Sequence, residues 1–408
     1  MLQVAGDVGG GAGHSSTGSM LFIRAPAVVL AFLLLLFRPR IASVQVTDLR
    51  FAYAAFASLY VLSALWSAHP VETIGKGAEL LMAGLVFFEA SQGDNAISQV
   101  EALRRICLLT MSTLGAITVL GFIAHVPAFI QQRPGLISST TAQSPFLSGN
   151  GLGYVASALV LVVFAEWQAR RLSGSAAFGQ LVFAVALFSV SASRTALGIL
   201  LLSVLLVVFK KSKILGALAV CSVVVGMILF WNEVFVFLQQ HSARSSNIAT
   251  LSGRTVVWAA AVRQFGLHPI LGVGGGIGGK EVVSHISNIY LEELSSLHNG
   301  FLEVLTGLGL VGFLIGSSML IVTTWRTWKA WDSNPEYAGT YVLIIHAWMT
   351  TTMSTGILGW MGYEVALFLC ILTNVDLIGE RARALEHAEA TPVRWSAQAM
   401  VPRDQTVG

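Results

Sequence analysis

Residues 176–209 read AAFGQLVFAVALFSVSASRTALGILLLSVLLVVF, two apolar runs separated by a single charged residue, Arg194. Each run nears the length of about 20 residues that an α-helix needs to cross hydrocarbon. A chain that turns back on itself within two or three residues, with apolar side chains on every face, has no water-facing side to offer. The same texture recurs in both directions. Apolar blocks fall at 21–37, 50–66, 74–90, 106–130, 150–166, 176–193, 195–209, 214–238, 301–323, 338–355 and 358–376. The pattern predicts an all-α polytopic membrane bundle of about 11–12 transmembrane helices.

Composition agrees. Of 408 residues, 55% are hydrophobic and 11% charged, with a mean hydropathy of +0.73. A soluble domain carries about 25% charged residues. The net charge of +3 is spread without a basic patch interleaved with aromatics, so nucleic acid is not an expected partner. Cys107, Cys221 and Cys370 lie in apolar blocks with no paired spacing, which gives neither a disulfide framework nor a metal site. Residues 1–20 form a Gly- and Ser-rich tail that reads as disordered, 21–376 the membrane domain, and 377–408 a cytoplasmic tail. Block 21–37 is followed by Arg38-Pro39-Arg40 and not by a small-residue cleavage site, so it reads as a retained membrane helix.

Basic residues recur at every second loop: Arg38, Arg40 and Arg50; Arg104 and Arg105; Arg170 and Arg171; Lys210, Lys211 and Lys213; Arg326 and Lys329; Arg381 and Arg383. The positive-inside rule assigns those loops to the cytoplasm. The long insertion 239–300 is then extracytoplasmic, a periplasmic segment expected to contain short helices.

Charged residues on the outer side are few, and each is weighed against an ordinary role. Arg194 breaks the positive-inside pattern; it is either an interfacial arginine or an anion ligand, for which the planar guanidinium fork suits phosphate. Arg254 follows Ser252, a candidate N-cap, and falls in the first turn of an amphipathic helix running to about Phe265, where free backbone N–H groups favour an anion. Residues 268–280, HPILGVGGGIGGK, contain a GxGxxG spacing with no strand–turn–helix around it, so the segment reads as a tightly turning loop and not as a nucleotide site. His298 precedes the block at 301, with Asn299 beside it and Glu303 one turn further on; a neutral imidazole there suits proton acceptance from a sugar hydroxyl. His346 and Glu364 are intramembrane ionisable residues whose role, packing or function, stays open.

Taken together, several segments resemble the O-antigen ligase and O-antigen polymerase superfamily. They are LWSAHP at 65–70, SGNGLG at 148–153, Ser193-Arg194-Thr195, Ser252-Gly253-Arg254 with Trp258, His268-Pro269 with LGVG at 271–274, and HNGFLE at 298–303 with Gly307, Gly309 and Gly312. The resemblance implies a metal-independent, cofactor-free inverting glycosyltransferase of GT-C-like fold in the bacterial inner membrane, its active site facing the periplasm. It implies a glycan on undecaprenyl diphosphate as donor, with lipid A core or a growing glycan as acceptor. Carried over by position, Arg194 and Arg254 hold the diphosphate, His298 with Arg254 is catalytic, and Asn299 and Glu303 bind substrate. Fixed cations make diphosphate a ready leaving group, and the outer loops lack a DxD-type pair. A transporter or lipid-linked glycan flippase is the competing class, though no internal repeat is visible.

Overall fold

The computed structural model describes residues 33, 47–92, 95–133, 139–143, 149–168, 170–191, 193–229, 254–284, 297–333, 338–353, 358 and 363–390. Among them are twelve α-helices: α1 (Asp48–Leu62), α2 (Pro70–Ala90), α3 (Ala96–Ile123), α4 (Gly149–Gln168), α5 (Gly174–Ser191), α6 (Arg194–Lys211), α7 (Lys213–Leu229), α8 (Arg254–Leu267), α9 (Gly278–Ser284), α10 (Gly300–Ser333), α11 (Ala338–Met353) and α12 (Tyr363–Ala390). The all-α membrane bundle expected from hydropathy is what the chain forms. Five helical stretches among the described residues are long and apolar enough to cross a membrane: Asp48–Leu65, Ser98–Ile123, Gly149–Trp167, Gly174–Ser191 and Gly300–Trp331.

Local chemistry starts these helices. Thr47 caps α1 by accepting the Arg50 N–H at 3.3 Å, and Asp48 adds a negative charge at the positive end of the helix dipole. Pro70 opens α2, where its missing N–H costs nothing. Ser193 caps α6, and Lys210 and Lys211 sit at its negative end. Within the spans, hydroxyls donate to carbonyls one turn back, as Thr118 does to Leu114, Ser203 to Ile199 and Thr327 to Thr323, so polar side chains need no partner in lipid.

At the centre lies α4, packed by α5, α6 and α11, with 72% of its apolar window buried; α3 and α5 bury only 17% and face outward. Their outer stripes, Ile106, Leu109, Ile117 and Leu120 on α3 and Phe178, Leu181, Val182 and Val185 on α5, are exposed. Such a surface suits hydrocarbon and would aggregate in water. His346 on α11 meets α4: Ser157 Oγ donates to the Tyr154 carbonyl at 2.8 Å, and the imidazole Nε2 lies 2.7 Å from that hydroxyl. The histidine pins two central helices together.

One end of the bundle is cross-tied by ion pairs. Asp376, on α12 and fully buried, accepts from Thr47 at 2.6 Å and pairs with Arg50 at 3.0 Å and Arg326 at 3.3 Å, joining α12 to α1 and α10. Arg104 bridges Glu101 and Glu166 at 2.7 and 2.8 Å, joining α3 to α4. These arginines are among those the positive-inside rule singled out, so they also hold helices in place.

Two expected blocks end differently in the structure, and two further stretches fall outside the described residues. The block 106–130 does not stay helical: α3 stops at Ile123, His125 turns with φ 54, and Pro127 leads into a hairpin, β1 (Ile130–Arg133) antiparallel to β2 (Ser139–Ala142) with Ile130 opposite Ala142. The block 301–323 belongs to a longer helix with a break. α12 runs on to Ala390, so the first part of the stretch 377–408 continues the last helix. Block 21–37 lies outside the described residues apart from Leu33, as does all of 230–253, including Ser252.

Candidate functional site at the break in α10

At the end opposite Asp376, α10 is broken. Gly309 has φ 64 and ψ −162, values no helix contains, so Gly300–Leu308 forms a short separate helix folded against the rest. The Phe301 ring consequently lies 6.3 Å from Phe313, which an unbroken helix would hold well apart. A break within an apolar helix leaves backbone groups without helical partners, and in hydrocarbon such groups are tolerated only where protein covers them. Here the glycine loop does so. Val273 N–H donates to the Thr306 carbonyl at 3.0 Å and Gly274 N–H to Gly307 at 2.8 Å, while Leu310 and Val311 donate to the carbonyls of Pro269 and Ile270 at 2.8 and 3.3 Å. This approach of backbone to backbone explains the glycines: a Cβ on Gly272, itself at φ 65, would collide with the Gly307 peptide.

Three side chains hold the loop from outside. Trp66 Nε1 donates to the Leu271 carbonyl at 3.2 Å, Ser63 Oγ accepts from Gly275 N–H at 2.8 Å, and Lys76 Nζ donates to the Gly276 carbonyl at 2.6 Å. Beyond the loop, α8 packs Val257 and Ala261 against Val282 of α9 and Leu297, and Trp258 Nε1 donates to the Leu297 carbonyl at 2.8 Å. Trp258→Phe removes that bond and the pyrrole half of the indole while keeping an aromatic ring; it is expected to lower stability by about 1 kcal/mol and transfer a few-fold, measured by thermal unfolding and by product formation.

His298 stands between Leu297 and the first turn of α10. It adopts φ 50, a left-handed conformation uncommon for histidine, and its ring is half-buried. Burial and the nearby Arg254 guanidinium lower its pKa from the ordinary 6.5 to about 4, so the imidazole is neutral at physiological pH and free to take a proton. Arg254 opens α8, as expected for the first turn of that helix. Its charge acts on the His298 imidazole from a separate element.

Asn299 and Glu303, read from sequence as substrate ligands, have other partners. Asn299 Oδ1 caps α10 by accepting Leu302 N–H at 3.1 Å. Glu303, 3% exposed, accepts Gly279 N–H at 2.9 Å through one oxygen and Leu297 N–H at 2.7 Å through the other. Both residues hold the segment that carries His298. Arg194 sits apart, exposed at the start of α6, where Ser193 Oγ donates to Asn150 Oδ1 at 3.2 Å and ties α6 to the start of α4. No hydrogen bond or ion pair among the described residues links Arg194 to Arg254 or His298.

Sequence reasoning passed over Glu72, Lys76 and Lys280. Lys76 Nζ lies 2.8 Å from Glu72 Oε1 and Lys280 Nζ 3.0 Å from Glu72 Oε2. The available signal was a Glu–Lys pair at i,i+4 at the mouth of an otherwise apolar block.

Residues 179–316 match the family described as O-antigen ligase. The matched stretch takes in α6, α8, the glycine loop, α9 and the break in α10, and with them Arg194, Arg254, His298, Asn299 and Glu303. No curated protein matches the chain.

Proposed function

We propose that this chain, which carries a segment of the O-antigen ligase and polymerase superfamily, transfers a glycan from undecaprenyl diphosphate to an acceptor sugar at the periplasmic face of a bacterial inner membrane. The observation that carries the reading is that His298, half-buried on a left-handed turn, and Arg254, the first residue of α8, lie at the end of the bundle opposite the Asp376 cluster, with the Arg254 charge acting on the imidazole. In this reaction the acceptor hydroxyl oxygen attacks the anomeric carbon of the donor sugar. The bond from that carbon to the diphosphate oxygen breaks, the configuration inverts, and the hydroxyl proton passes to His298. The leaving diphosphate keeps the electron pair, and Arg254 meets its charge, with Arg194 a second cation on the same lipid anchor. Asn299 and Glu303 serve by fixing the turn that presents His298.

The acceptor we favour is lipid A core, which makes the enzyme a ligase; joining repeat units to one another would make it a polymerase. Gel and mass analysis of envelope glycolipids from a strain lacking the protein separates the two. Long polymer retained on the carrier beside bare lipid A core is expected for a ligase, and single repeat units on the carrier for a polymerase. A glycolipid profile identical to that of the parent strain would overturn the reading.

A further inference from the structure

Glu72 sits on α2 with both carboxylate oxygens engaged by lysines from different elements, Lys76 one turn along the same helix and Lys280 on α9. This is not the geometry of a surface ion pair. Glu72 and Lys76 are each 18% exposed, whereas Lys280 is 39% exposed, so the cluster is sunk on one side and open on the other. Lys76 also donates to the Gly276 carbonyl at 2.6 Å, a contact that would hold its ammonium in place with Glu72 gone. Two ammonium groups, set to meet two oxygens of one anion, describe a phosphate-binding pair whose occupant is at present a carboxylate of the same chain. Lysine suits an exchangeable occupant, because a point charge on a flexible stem follows an anion that arginine's rigid fork would have to match.

The cluster also adjoins the chemistry. Gly279, next to Lys280, and Leu297, next to His298, donate to the two oxygens of Glu303. One buried carboxylate therefore ties the residue before Lys280 to the residue before His298.

We infer that Lys76 and Lys280 form a binding site for a phosphate or diphosphate group, and that Glu72 occupies the site until that group displaces it. The inference rests on the glycan-transfer reading only for the identity of the anion: the diphosphate of the lipid-linked donor, or else the phosphate of a membrane-lipid headgroup. A carboxylate held in the donor's place keeps two half-buried ammonium groups from facing each other uncompensated, and makes donor binding an exchange of anions.

The test uses the full chain in phosphatidylcholine nanodiscs, titrated with inorganic diphosphate and read by tryptophan fluorescence, since Trp66 bonds the adjoining loop. Glu72→Gln removes the competing charge at constant shape and is expected to tighten binding about five- to tenfold; Lys280→Met is expected to weaken it about tenfold. Equal affinities in wild type and both variants would overturn the site. If Glu72→Gln loses its fold, Lys280→Met, altered at a more exposed side chain, decides alone. Competition by undecaprenyl diphosphate, but not by phosphatidylglycerol discs, assigns the site to the donor; the reverse assigns it to a headgroup. Unchanged glycolipids in the strain lacking the protein would sink the transfer reading and leave this titration standing. Normal transfer with flat titrations would do the opposite.

Discussion

His298→Ala is expected to lower glycan transfer by about 10²- to 10⁴-fold, the range that loss of a positioned proton acceptor produces. Alanine also meets the left-handed backbone at this position, φ 50, which costs about 1–2 kcal/mol for a residue with a Cβ. Two companions separate chemistry from conformation. His298→Asn tolerates the left-handed region but accepts no proton at neutral pH, and is expected to be as inactive as alanine. His298→Gly relieves the strain and is expected to unfold at a slightly higher temperature than wild type while remaining inactive. Transfer above a tenth of wild type in His298→Asn would remove His298 from the role of base.

The same residue sets a pH signature. With its pKa held at about 4 by burial and by Arg254, the imidazole is neutral down to about pH 5, so transfer is expected to stay flat from pH 8 to 5 and fall as pH drops through about 4. Arg254→Ala removes the second of these causes. Its residual activity is therefore expected to fall off at a higher pH, moved toward 6.5 but short of it, because burial remains. Stability follows the same sign. Between about 4 and 6.5 the unfolded chain binds the proton more readily than the folded one, so this histidine's contribution to stability declines as pH falls across that window and is level below it.

Hydropathy made the bundle legible, since each run of apolar residues must be helical to satisfy its own backbone in lipid. Lone charges on the outer side single out Arg254 and His298 in the sequence, and the helix start expected at Arg254 is where α8 begins. The break in α10 was not. Glycine is common inside membrane helices, and GLGLVG at 307–312 reads as one more close-packed span; only the positive φ of Gly309 and its contact with the distant Ile270 peptide show otherwise. Glu303 stands out in the sequence by its place one turn after His298, but its contacts with the backbone N–H groups of Gly279 and Leu297 carry no mark there. Lys76 and Glu72 were hidden in plain composition: a helical i,i+4 pair is common, and nothing local announces that Lys280 completes it from far along the chain.

Glu303 is where fold and chemistry meet most tightly. Truncation by Glu303→Ala leaves the N–H groups of Gly279 and Leu297 buried without acceptors, at about 1–3 kcal/mol each, so a destabilisation of roughly 2–6 kcal/mol is expected. Glu303→Gln keeps one acceptor oxygen and turns an amide N–H₂ toward the second donor, so about half that loss is expected. The two amides stand one residue before Lys280 and one residue before His298, and losing them frees the base to leave its position while Arg254 stays on its own helix. Turnover should therefore fall further than donor affinity, by about tenfold in Glu303→Gln, in keeping with the cost of misplacing a reacting group. A residue that touched the donor directly would show the reverse split, with KM rising and kcat preserved. Thermal unfolding together with transfer kinetics on Glu303→Gln distinguishes the two: an unchanged unfolding temperature with a raised KM would return Glu303 to the role of substrate ligand, and a lowered unfolding temperature with a lowered kcat would establish it as the strut that sets His298 in place.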